Sequence, residues 1–161
     1  HLLTHKIEFL WRIHRVHHSD TEMDVSTAIR FHPIEIALSM VFKIGLVYAL
    51  GADPLSILIF EILLNGSSMF NHANINIPNG IDKIIRFVIV TPDMHRIHHS
   101  SNRIEHDTNF GFALSIWDHM FQTYKSHPEK NHKEMEIGLN WQDKKPQELG
   151  WSLGLPFKKN G

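Results

Sequence analysis

Trp11-Arg12-Ile13-His14-Arg15-Val16-His17-His18-Ser19 stands near the start of the chain, and Pro92-Asp93-Met94-His95-Arg96-Ile97-His98-His99-Ser100 past its middle. Both carry the same core, His-Arg-(Val/Ile)-His-His-Ser, an HxxHH box. Residues three and four apart lie on one face of a helix. A helical box therefore projects three imidazoles toward one point. Two such points can hold two metal ions or one shared pair.

A second spacing precedes the first box. His1 and His5 are four apart, a chelating geometry on a helix. Exposed helix histidines are the bland reading of such a pair, and its closeness to the box reverses that preference. From His5 to His14 the chain advances about two and a half turns of ideal helix, so a straight helix would turn the two groups to opposite sides. The spacing predicts a bend or break between Lys6 and Arg12. Phe9, Leu10 and Trp11 form the expected apolar anchor there.

Composition narrows the function classes. The chain has 161 residues, 14 histidines, no cysteine and a formal net charge of −1. The length suits one domain with a real core, 1–161. Disulfides, zinc knuckles, thiolate haem and iron–sulfur sites are excluded from this chain. No basic face stands out, so no nucleic-acid partner is expected. The first residue is His1 rather than Met, inside a motif, and the chain reads as part of a longer protein whose N-terminal membrane spans precede it.

Outward from the first box, Ser19 to Thr27 is a polar, acidic loop leading into a helix start. Asp20, Glu22 and Asp24 are candidates to orient a ligating imidazole, with a solvated loop as the plainer alternative. His32 precedes Pro33, which suits the first turn of a helix, and reads as structural rather than metal-bound. Ile34–Leu50 and Leu55–Phe70 are mostly apolar arms joined by the turn Gly51-Ala52-Asp53-Pro54. Each is near the lower length limit for a bilayer span. Lys43 and Glu61 interrupt them, and hydropathy alone weighs a membrane hairpin and a buried soluble hairpin equally. A short hairpin returns the chain to the side it left, which puts the histidines on both flanks on one face.

His72 ends the second arm. Its position between two triple-histidine boxes favours a ligand role over a structural one, and Asn76, four residues on, is a further candidate. Ile81–Val90 reads as an amphipathic helix at a membrane surface. Thr91 as cap and Pro92 at the first helical position start the helix that carries the second box. Asp107 and Asn109 are candidate partners of box histidines. His106 reads as such a partner and His119 as structural. Trp117 to Phe121 suits a short helix packing an aromatic edge onto the core, while His127 and His132 read as solvent-exposed.

An imidazole-rich, thiolate-free set suits iron, zinc, copper or nickel. Eight box histidines and His72 exceed what a closed four-ligand zinc site needs, which favours a dinuclear centre with open positions. The Glu-x-x-His pairs of ferritin-like di-iron bundles are missing. A non-redox reading stays beside the redox one: the same ligands could bind zinc and activate water, or serve a metal-handling membrane module.

The order of the boxes resembles the fatty acid hydroxylase superfamily, of the sterol desaturase type. LWRIHRVHHSDTEMDVSTAIRFHP, NHANI, MHRIHHS, DTNFG, WDHMFQTY and LPF are similar to bacterial members and to the related alkylglycerol monooxygenases. The resemblance covers nearly the whole chain. It implies an all-α, membrane-embedded bundle with a histidine-lined dimetal site at its cytosolic face. It also implies a non-haem di-iron enzyme that uses O2 to hydroxylate or desaturate lipid C–H bonds, with zinc able to substitute for iron. The implied ligands are His1, His5, His14, His17, His18, His72, His95, His98 and His99. With no flavin, haem or iron–sulfur motif in the sequence, electrons are expected from a separate donor of cytochrome b5 or ferredoxin type. Many members have Gly where Gln122 stands and a basic residue at His119. Some have a histidine where this chain has Asn76.

Overall fold

The computed structural model describes residues 1–142 and 146–159. The described residues are helical, with two isolated β-bridges, Ile89 to Leu114 and Ser100 to Ile137. In chain order the helices are α1 (Leu2–Lys6), α2 (Glu8–His18), α3 (Pro33–Leu50), α4 (Pro54–Asn71), α5 (Asn79–Ile85), α6 (Pro92–His98), α7 (Arg103–His106), α8 (Ile116–Phe121) and α9 (Leu149–Gly154). Two 3-10 turns, Val25–Ile29 and Leu155–Phe157, complete them.

The expected break falls at Ile7, whose extended backbone separates α1 from α2. Ile7 N–H still donates to Leu3 O at 3.0 Å and its carbonyl accepts from Trp11 N at 2.8 Å, so both backbone groups of the kink residue stay paired. Of the expected anchor, Trp11 packs against the core cluster while Phe9 is exposed. That cluster joins Val16 of α2 to Leu139, Trp151 and Leu155 from the C-terminal segment.

Arg15, inside the first box, belongs to this scaffold. It is fully buried and donates to Leu155 O at 2.6 Å and Lys158 O at 2.7 Å, while its guanidinium lies 5.0 Å from the Trp141 ring centre. The arginine of the box thus fastens the chain end to α2 while the histidines face the other way. Arg96, its counterpart, reaches Asn74 at 3.3 Å.

The cap predicted at Thr91 holds, and the turn at 51–54 supplies two more. Asp53 accepts from Leu55 and Ser56 backbone N–H groups, Gly51 closes α3 in the left-handed conformation, and Thr91 accepts from Met94 N. His32 caps α3 through Nδ1 at 3.2 Å from Ile34 N, a structural role. The two arms project away from the histidine-bearing part. No residue of α3 is buried, and α4 buries only Ser68 and Asn71 near its end. Among the described residues one helix, Pro33–Leu50, is long and apolar enough to cross a membrane, with mean hydropathy 1.7. The described residues therefore leave the hairpin exposed along most of its length.

Three expectations need correction. The helix expected over 81–90 ends at Ile85 and turns, so that Ile89 can bridge to Leu114. Trp117 and Phe121 face outward, about half and two-thirds exposed, because Asp118 between them is the residue turned into the core. His132 is half-buried rather than solvent-exposed.

Candidate metal centre

The nine histidines singled out by spacing meet in two adjoining groups. His1, His5, His14, His18 and His98 form one; His17, His72, His95 and His99 form the other, and within each group one nitrogen per ring lies within 4.8 Å of the rest. The groups touch: the His18 and His99 rings stack 4.5 Å apart, and the His95 and His98 rings stack 5.2 Å apart.

Neither box converges on one point, as a single helical face had implied. In each box the residues four apart stay together, His14 with His18 and His95 with His99. The remaining member, His17 or His98, crosses to the other group. A helix advances about 100° per residue, so positions i and i+4 diverge by only about 40° while i+3 lies on the opposite flank of the face. With two helices docked face to face, the flanks of each reach different centres.

Hydrogen bonds fix several rings. His1 Nδ1 donates to Phe110 O at 2.7 Å, His72 Nδ1 to Ser68 O at 2.7 Å, and His98 Nδ1 to Thr108 O at 2.8 Å. A carbonyl only accepts, so the proton sits on Nδ1 and the Nε2 lone pair faces the group. His14 Nδ1 lies 2.6 Å from Glu35 Oε1 in the first turn of α3. Aromatic rings wall the groups: Phe31 stacks on His17 at 4.4 Å, and Phe110 lies 5.1 Å from His5.

The nitrogens fit metal ions better than they fit each other. His72 Nε2 lies 3.2 Å from both His17 Nε2 and His95 Nε2, and His98 Nε2 lies 3.1 Å from His1 Nε2. Neighbouring imidazole nitrogens on one ion, each about 2.1 Å from it, stand roughly 3.0–3.4 Å apart. Both nitrogens of His5 and His99, Nε2 of His14 and His18, and Nδ1 of His17 and His95 are buried without a hydrogen-bond partner. Burial, reinforced by neighbouring imidazoles, pushes His17, His18, His95 and His99 well below the ordinary histidine range. Burial likewise depresses His5 and His98, and pushes His72 down to about 4. These seven rings are neutral at physiological pH, the form that binds metal. Two sets of histidines able to hold metal ions thus lie side by side.

Other sequence expectations separate here. Asp20 accepts from Thr27 Oγ1 and pairs with Arg30, Asp24 caps the 3-10 turn, and Glu22 is exposed; none bonds a group histidine. The acid that reaches a box histidine is Glu35, hidden in an apolar arm where only the docking of α3 on α2 reveals it. Asn76 is exposed and outside both groups, because the helix ends at His72 and no longer carries Asn76 on the same face. Asn109 contacts no group histidine. With φ +53°, it donates to Met94 O and accepts from Lys125 N, bracing the loop beside α6. Asp118 accepts from the Phe110 and Gly111 N–H groups at 2.7 and 2.8 Å, so it sets the carbonyl on which His1 rests. His106 stacks on Trp11 at 5.1 Å, and Asp107 Oδ1 lies 3.6 Å from His5 Nδ1 and 3.7 Å from His106 Nε2. His119 is exposed against Tyr124.

Residues 1–123 match the family model described as fatty acid hydroxylase. An ornithine lipid hydroxylase of Rhizobium tropici is 32% identical across all of this chain and 46% of its own length. Human alkylglycerol monooxygenase is 29% identical over 81% of the chain and 28% of its own, and rat cholesterol 25-hydroxylase 29% over 80% and 42%. The chain thus spans less than half the length of these curated relatives. No solved structure matches it. The family match over most of the sequence, together with the histidine groups, makes the chain a member of the fatty acid hydroxylase family.

Proposed function

We propose that this chain is the catalytic domain of a non-haem di-iron oxygenase that hydroxylates a C–H bond of a membrane lipid. The observation that carries the reading is the pairing of two imidazole groups, five rings beside four and eight of the nine buried, in contact with each other. The nine histidines are the ligands. Relatives named as an ornithine lipid hydroxylase, an alkylglycerol monooxygenase and a cholesterol 25-hydroxylase favour hydroxylation over desaturation, and a lipid as substrate. Iron bound at the two groups would supply reductive activation of O2. The balance is one lipid C–H bond, one O2, two electrons and two protons giving the alcohol and water. The electrons come from a separate cytochrome b5- or ferredoxin-type donor.

The chain's own residues prepare the site. Phe31 and Phe110 exclude water from the rings, and the carbonyls of Ser68, Phe110 and Thr108 hold the Nδ1 protons away from them. Both open ends of the hairpin meet the groups, Glu35 in the first turn of α3 and His72 immediately after α4. With the exposed apolar arms in a bilayer, the centre sits at the membrane boundary, within reach of lipid chains. Arg12, Arg15, Arg30, Lys83 and Arg86 flank the open end, whereas the turn Gly51–Asp53 has no lysine or arginine, which supports a cytosolic position for the centre.

The test is metal analysis of the full-length protein in lipid nanodiscs, followed by O2 uptake and mass spectrometry of added lipid extract. Iron, with donor-dependent O2 uptake and gain of one oxygen atom by a lipid, is the expected result. Tightly held zinc with lipid hydrolysis and no O2 uptake would overturn it.

A further inference from the structure

Beside the five-histidine group lies a third set of donors, His5, His106 and Asp107. We propose that these residues form an entry site at which a divalent cation is captured from solvent before it moves into the five-histidine group. The proposal rests on the reading of that group as metal-binding.

His5 belongs to both sets. Its side chain is fully buried and neither ring nitrogen has a hydrogen-bond partner. Nδ1 faces Asp107 Oδ1 at 3.6 Å, and the same oxygen lies 3.7 Å from His106 Nε2. These separations are too long for hydrogen bonds and close to the spacing of donors around one ion. Lys6 donates to the other carboxylate oxygen, Oδ2, at 2.8 Å, which leaves Oδ1 free to bind. The set opens to solvent: His5 and His106 line a cleft of about 310 Å³ together with Trp11, Arg103 and Trp141. His14, His18 and His98, deeper in the group, are buried.

A neutral imidazole binds one ion through one nitrogen, so His5 serves the two sets in turn. It holds an incoming ion through Nδ1 while the inner group is empty. Once the ion has moved inward His5 binds through Nε2, and its Nδ1 proton then faces Asp107. The filled protein accordingly keeps no third ion. Hard and borderline divalent cations suit one carboxylate and two imidazoles.

The test uses the full-length protein, stripped of metal in detergent and mixed with Co²⁺ alone. The growth of the Co²⁺ visible absorption gives the loading rate, and elemental analysis gives the endpoint. His106→Ala and Asp107→Asn should each slow loading by about tenfold, the scale on which a local field concentrates an ion, with the wild-type endpoint retained. Lys6→Gln, which frees the second carboxylate oxygen, should load no more slowly than wild type. Unchanged rates in His106→Ala and Asp107→Asn, or a lowered endpoint in Asp107→Asn with a normal rate in His106→Ala, overturn the proposal; the second result makes Asp107 a support for His5 alone. Failure of the wild-type protein to bind cobalt at all sinks the underlying metal reading instead.

Discussion

His17 and His18 are adjacent in sequence, yet their rings stand at 90° with centroids 5.6 Å apart and belong to different groups. Each box therefore straddles both centres. Removing either histidine should weaken one group selectively. His17→Ala takes one of four donors and His18→Ala one of five, so metal loss should be larger for His17→Ala. Since even a partner that merely orients a ligand is worth about 10–100-fold in affinity, each change should lower affinity at least that far. Metal retained against a graded chelator series checks this, and equal, complete loss in both variants would refute the division into two groups.

Glu35 is the only described carboxylate in hydrogen-bond contact with a group histidine, His14. Glu35→Gln keeps the shape and removes the charge. The expected result is about a tenfold lower affinity at the five-histidine group with helix content unchanged. Chelator competition and circular dichroism on the same preparation separate a loss of affinity from a loss of fold.

The pH dependence of the metal-free protein follows from burial. His72 takes up its proton only near pH 4 when folded, whereas an unfolded histidine does so near about 6.5. Below about 6.5 the unfolded chain therefore binds more protons, and acid favours it. The stabilisation is fully present above that pH and is lost as pH falls through about 4. His17, His18, His95, His98 and His99 are shifted in the same direction. Thermal unfolding of the metal-free protein should occur at progressively lower temperature on acidification from neutrality, and a flat profile would contradict it.

Gln122 closes α8 in the left-handed conformation, φ +59°. A residue with a Cβ bears a steric cost there that glycine does not. Gln122→Gly should stabilise the protein by up to about 1 kcal/mol. A lowered unfolding temperature would mean that the glutamine side chain contributes more than the backbone strain costs.

Lys43 and Glu61 pair across the two apolar arms at 2.6 Å. In a bilayer, removing one partner strands the other charge. Lys43→Leu or Glu61→Leu alone should destabilise by about 3 kcal/mol, and the double replacement should recover most of it. Unfolding in nanodiscs measures the cycle; additive losses would place the pair in water instead.

Much of this was legible because it is local. The histidine set follows from spacing, the break at Ile7 from the phase between His5 and His14, the start of α3 from a first-turn proline, and the start of α6 from a cap followed by proline. Periodicity fixes which side chains share a face of their own helix. It says nothing of the angle at which two helices dock, so the assignment of His17 to one group and His18 to the other lay beyond it. The same holds for Glu35 on His14, Phe31 on His17 and the Asp118 carboxylate that supports the carbonyl under His1. The sequence alone determined which histidines gather. Tertiary structure decided how they divide between two centres, because that division depends on side chains meeting across helix axes whose mutual orientation no single helix encodes.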